Sequence, residues 1–147
     1  MITSSELDVA LGSPPGRPES AANAINNAGT IVGITFATEE GLQGLRAVRW
    51  DHPGRATELP HLPGDSFSDA EAINDSGVIV GNGSGTHYTE THAVQWNSQG
   101  KPTKLGTFPG GTYSAAVGIN NEGTIIGVAG TPFGGNRPVA WRCDKTG

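Results

Sequence analysis

The chain has 147 residues, enough for one domain with a real core, and a formal charge of −5 spread along its length. Such a surface repels nucleic acid and anionic membrane, and no apolar run approaches the ~18–20 residues of a membrane span, so neither is an expected partner. The single cysteine, Cys143, excludes an internal disulfide framework and a cysteine-cluster metal site; Met1–Leu11 carries no export signal, which predicts a cytoplasmic protein.

In chain order, the first recognisable segment is Leu11-Gly12-Ser13-Pro14-Pro15-Gly16, a proline-glycine connection. Ser20–Ile25 follows. Alone it would pass for a helix start capped by serine, but its third copy, Ser114–Ile119, has valine and glycine inside. A strand of about seven residues between turn signals is therefore predicted, its small residues (Ala22, Ala24; Ala70, Ala72; Ala116, Gly118) suiting a crowded place where units converge. Next comes Asn26-Asn27-Ala28-Gly29, in which asparagine caps its own turn and glycine takes the left-handed conformation of a tight hairpin. Ile31-Val32 is apolar at successive positions, as in a strand buried on both faces. Ala47-Val48-Arg49-Trp50 predicts a strand with one large anchor, and Thr57-Glu58-Leu59 a short outer one.

These words recur. The connection returns at Leu59–Gly64 and Leu105–Gly110, and the turn at Asn74–Gly77 and Asn120–Gly123, both at spacings of 48 and 46 residues. The anchors return as Trp96 and Trp141. Turn capping explains the repeated asparagines Asn26, Asn74 and Asn120, and core anchoring explains the tryptophans. One repeat domain over residues 1–147 follows, with units at about 7–54, 55–100 and 101–147. The abundant glycine and proline, 23 and 10 residues, are thus ordered by the repeat and do not signal a flexible chain.

From Leu11 to Trp141 these words resemble the HAF repeat, whose pattern runs roughly Leu-Gly-x-x-Pro-Gly, then Ser-x-Ala-x-x-Ile-Asn-x-x-Gly-x-Val-Gly, then Ala-x-x-Trp. The resemblance implies a blade-like scaffold and is nearly silent on function; its members usually carry more copies than three. The predicted fold is all-β: three four-stranded antiparallel blade-like repeats of about 46 residues, β-propeller type, completed by dimerisation. In that homodimer Leu7–Leu11 of one copy lies near Trp141–Cys143 of the other. A β-trefoil is the alternative, since it too has three units of about four strands; adjacent apolar residues after each hairpin favour blades.

Function is expected where copies differ and loops are long. One set of loops is Thr35–Arg46, Asn82–His92 and Val128–Arg137; the other is Pro14–Glu19, Pro63–Phe67 and Pro109–Tyr113. In a blade both sets emerge on one face. The second unit is the polar one, with His87, Tyr88, Glu90 and His92 in its long loop and His61 and Asp65 in its connection. Gly81–Gly85 reads as a mobile loop. A non-enzymatic scaffold binding a small molecule, glycan or protein is expected to use His87, Tyr88, Glu90, His92, Phe108, Tyr113 and Arg137. An enzyme is the second reading, with His87, Glu90 or His92 in acid–base work. A purely structural oligomerisation module is the third. No zinc signature, phosphate loop, nucleophile elbow or dinucleotide fingerprint occurs, so neither metal nor cofactor is expected. Cys143 has no counterpart in the other units.

Overall fold

The computed structural model describes residues 9–36, 44–85 and 90–142, and these are all-β, with no α-helix among them. The first sheet comprises β1 (Glu19–Ile25), β2 (Ile31–Phe36), β3 (Arg46–His52) and β4 (Arg55–Glu58). The second comprises β5 (Phe67–Ile73), β6 (Ile79–Ser84), β7 (His92–Trp96) and β8 (Pro102–Lys104). The third has β9 (Ser114–Ile119), β10 (Ile125–Gly130) and β11 (Asn136–Trp141). Every strand pairs antiparallel with its chain neighbour, and each sheet holds one copy of the repeated words.

The hairpin between the first two strands of each sheet is built by its asparagine. Asn26, Asn74 and Asn120 accept from the backbone N–H four residues on, at 2.9, 2.9 and 3.0 Å. Gly29, Gly77 and Gly123 supply φ of +87°, +85° and +88°, which a Cβ would oppose. A second glycine has a different duty. A Cβ on Gly33, Gly81 or Gly127 would overlap the carbonyl oxygen of Ala21, Asp69 or Ala115 on the adjoining strand. That strand carries a β-bulge at the same place in each copy, where Asn23, Glu71 and Val117 are the extra residues. The bulge pushes the backbone toward its neighbour, and only glycine leaves room.

Each tryptophan anchors the connection that opens its own unit. Trp50, Trp96 and Trp141 donate from Nε1 to the carbonyls of Gly12, Pro60 and Gly106 at 2.9, 2.9 and 2.8 Å.

The sheets stack face to face, and two similar cores form between them. Val32, Ala47 and Leu59 of the first sheet's side meet Ala70, Ile73, Ile79 and Trp96 of the second. One unit along, Val80, Ala93 and Leu105 meet Ala116, Ile119, Ile125 and Trp141. A polar ladder runs beside these cores at the hairpin end. Asn26 Nδ2 donates to Asn74 O at 3.0 Å, and Asn74 Nδ2 to Asn120 O at 3.1 Å. Buried serines add a rung within the stack: Ala47 N–H donates to Ser68 Oγ and Ala93 N–H to Ser114 Oγ, at 2.9 and 2.8 Å. The second sheet is thus covered on both faces, while Ile25 on the first and Ile126 on the third are exposed.

Two expectations are corrected. The third sheet has three strands among the described residues and not the expected four. The glycine-rich stretch Gly81–Ser84 is not a mobile loop but the end of β6, paired on one side with Phe67–Ala70 and on the other with His92–Val94. Its glycines answer close approaches by neighbouring groups.

Candidate functional site

In each unit the proline-glycine connection touches the loop between the second and third strands. Arg17 donates from Nη1 to Gly44 O, Ser66 N–H to Ser84 O at 2.8 Å, and Gly130 N–H to Tyr113 O at 2.9 Å. Among the described residues, only in the second unit does this meeting bring an acid and a base together. His92 Nε2 lies 2.8 Å from Asp65 Oδ2, and their side chains are only 10% and 5% exposed. His92 Nδ1 lies 2.6 Å from Glu90 O. Both ring nitrogens thus face protein oxygens within hydrogen-bond distance, which fixes the orientation of the ring.

The surroundings are fitted to this pair. A Cβ on Gly83 would collide with Asp65 Oδ2 and crowd His92 Nε2; the equivalent residues of the flanking units are Thr35 and Ala129. Glu90 has φ +56°, the one non-glycine residue in the left-handed region among the described residues. The third unit places Gly135 there, at φ +80°. A strained non-glycine residue that holds a histidine through its carbonyl is typical of a functional position. His61 supports the other side: its Nδ1 lies 3.2 Å from Asp65 O, and its buried Nε2 meets no partner among the described residues. Burial first, then the nearby Arg46 guanidinium, holds this imidazole below its ordinary value.

Over the pair opens a cleft of about 310 Å³ lined by Leu62, Asp65, Gly85, Glu90, His92 and Lys104, among others. Lys104 and Glu90 place opposite charges at its edge. Clefts of similar size at the hairpin end, one between the first two units and one between the last two, recur with the stacking and are a property of the repeat.

On the other face of β6 lies a second polar group. Asn82 donates from its backbone and from Nδ2 to Asp69 Oδ1, both at 3.1 Å, and its Oδ1 accepts from Ala116 N–H of the third sheet at 2.9 Å. Burial, then the adjacent Glu71 carboxylate, pushes Asp69 up to about 7. Residues 82 and 83 point to opposite faces of the strand, so the two polar groups straddle the second sheet.

Of the residues expected at the site, His92 and Glu90 line the cleft. His87, Tyr88, Leu7 and Cys143 lie outside the described residues. Phe108 and Tyr113 are half-buried and Arg137 is exposed; none of the three lines the cleft. The connection 108–113 does approach the loop's end, for Ser114 N–H donates to Thr91 O at 3.1 Å. Lys104 and Asp69 escaped the sequence expectations, and Gly83 and Asn82 entered them only as members of the loop Asn82–His92. Aligning the three copies position by position marks the last three, because the second unit departs from both neighbours there. Among the described residues no three His, Cys, Asp or Glu side chains are grouped to hold a metal ion, and no helix is long and apolar enough to cross a membrane. Compared with protein-family models, curated proteins and solved structures, the chain matches none.

Proposed function

We propose that the chain is a non-enzymatic binding scaffold that recognises a small molecule, glycan or protein partner on the loop face of a propeller-type array. The observation that carries this is the cleft at Asp65 and His92, whose Asp65, Glu90 and His92 are replaced by other residue types in the flanking units. Repeat positions shared by all three copies are explained by turns, bulges and anchors; Gly83, Glu90 and His92 are not. Both nitrogens of His92 are already engaged, which suits a rigid recognition surface better than a proton-transferring base. The charges of Lys104 and Glu90 favour a polar ligand with groups to pair with each. Separate meanders of three or four strands stacked face to face support blades over a trefoil barrel, and the likeness to HAF repeats belongs to the same proposal.

Glycan arrays and native mass spectrometry against metabolite extract of the host test it. Any ligand retained by the parent is expected to bind at least ~10-fold more weakly to a Glu90→Gln, Lys104→Ala double variant, a loss of about 1.4 kcal/mol, with melting unchanged. Equal affinity in parent and variant rejects the cleft as the site.

A further inference from the structure

The outer faces of the stack repeat its inner ones. Ile25 and Ile126 are 64% and 52% exposed, yet their counterparts Ile73 and Val80, one unit along and one unit back, are 8% and 0% exposed because a neighbouring sheet covers them. The polar ends match as well. Asn26 and Asn74 each donate from Nδ2 to the next turn, whereas Asn120 Nδ2 meets no acceptor among the described residues. At the other end, Asn26 O accepts, among the described residues, only from Gly29 of its own turn. A third pair of ends lies along the outer strand. Leu59 and Leu105 N–H donate to Ala47 O and Ala93 O at 2.9 and 3.0 Å. In the third sheet that acceptor position falls to Pro138, which keeps its carbonyl, and Leu11 stands 48 residues before Leu59 with its N–H unused among the described residues.

We propose that a second copy of this chain docks its first unit on the outer face of the third. Ile25 of the second copy covers Ile126, Asn120 Nδ2 donates to its Asn26 O, and its Leu11 N–H donates to Pro138 O. Two copies doing so reciprocally form a ring with two identical head-to-tail junctions. The junction continues the contacts already made twice within the chain, one rung short. Pro138 has no N–H for the serine rung, and Ser20 Oγ, the serine it would have met, is paired with Ser13 Oγ at 2.8 Å. The missing rung makes this junction weaker than those inside the chain.

Sedimentation equilibrium of the full chain from about 1 to 100 μM is expected to show a two-chain mass. Ile126→Asp and Ile25→Asp, each on an exposed side chain, are expected to weaken association by on the order of 100-fold with unchanged circular dichroism. Phe133→Asp, at a site 97% exposed away from both faces, leaves it intact. Asn120→Asp keeps the oxygen that caps its turn and loses the donor, so it tests the ladder should an isoleucine variant misfold; about 10-fold weaker association is expected. A single-chain mass at every concentration overturns the proposal. So does association that ignores Asn120→Asp and whichever isoleucine variants fold. Growth beyond two chains overturns the two-copy ring.

Discussion

Where the second unit carries Asp69, Asn82 and His92, the first has Ala21, Ile34 and Arg46, and the third Ala115, Val128 and Arg137. The backbone beneath these substitutions is the same meander with the same bulge and turn. Copies of one unit therefore separate two duties that a single-copy fold mixes. Positions held in common build and stack the sheets; those altered in the middle unit place charge beside a cleft. The middle unit can carry this polarity because it is covered on both sides, where neighbouring backbone groups satisfy its polar atoms.

The largest effect that sharpens the contrast comes from the anchors. Trp96, 1% exposed and sandwiched, is expected to lose about 4 kcal/mol on Trp96→Ala, while Trp141, half-covered within one chain, is expected to lose about half as much when urea denaturation is followed on the Ile126→Asp background that keeps the chains apart. Equal losses would mean that the third unit is covered as fully as the second in solution. Next, His92→Ala leaves Asp65 buried and unpaired and is expected to cost about 3 kcal/mol. Arg137→Ala, at the equivalent exposed position, is expected to stay within ~0.5 kcal/mol.

A smaller effect is read through pH. The folded state holds the Asp69 proton up to about 7, above the carboxylate range of an unfolded chain. Its stabilising contribution is therefore present at low pH and is lost as pH rises through about 7. Asp69→Asn, which mimics the protonated acid, is expected to raise stability at pH 8 by at least ~1 kcal/mol and to flatten the melting-temperature profile between pH 4 and 7. Ala115→Asn in the third unit offers no such gain. The smallest effect concerns Glu90. Glu90→Gly relieves the left-handed backbone and is expected to stabilise by ~0.5–1 kcal/mol while weakening ligand binding. A destabilised Glu90→Gly chain would show that the glutamate side chain serves the fold.

Much of the fold was legible because the repeat is local: turn asparagines, left-handed glycines and tryptophan anchors are short-range signals that recur in register. Gly33, Gly81 and Gly127 were visible as letters, but the reason for them was not. It lies in a carbonyl on the adjoining strand, brought close by a bulge that no spacing announces. The stretch Gly81–Ser84 misled for the same cause, since glycine marks a mobile loop and a tight approach alike. At the site, Glu90 and His92 were legible as polar loop residues. That His92 turns inward to Asp65 was not, because their sequence separation of 27 closes only through pairing of β6 with β7.

The hairpin ladder also bears on how the chain reaches its native order. Beside the asparagine rungs, Asn27 donates from its backbone and from Nδ2 to Asp75, both at 2.8 Å, and Asn121 Nδ2 donates to Asp75 Oδ2 at 3.1 Å. These donors hold the exposed Asp75 carboxyl below its ordinary value. Acid in the middle and amide on either side is an arrangement that only the native sequence of units satisfies. A folding chain that loops out its middle unit and stacks the first directly on the third sets Asn27 against Asn121, amide on amide, and forfeits the stronger charge-assisted bonds. With three near-identical units competing for the same docking faces, Asp75 is expected to disfavour mis-stacked arrangements during folding. Asp75→Asn is accordingly expected to add a slow phase to refolding while leaving the rate of unfolding nearly unchanged.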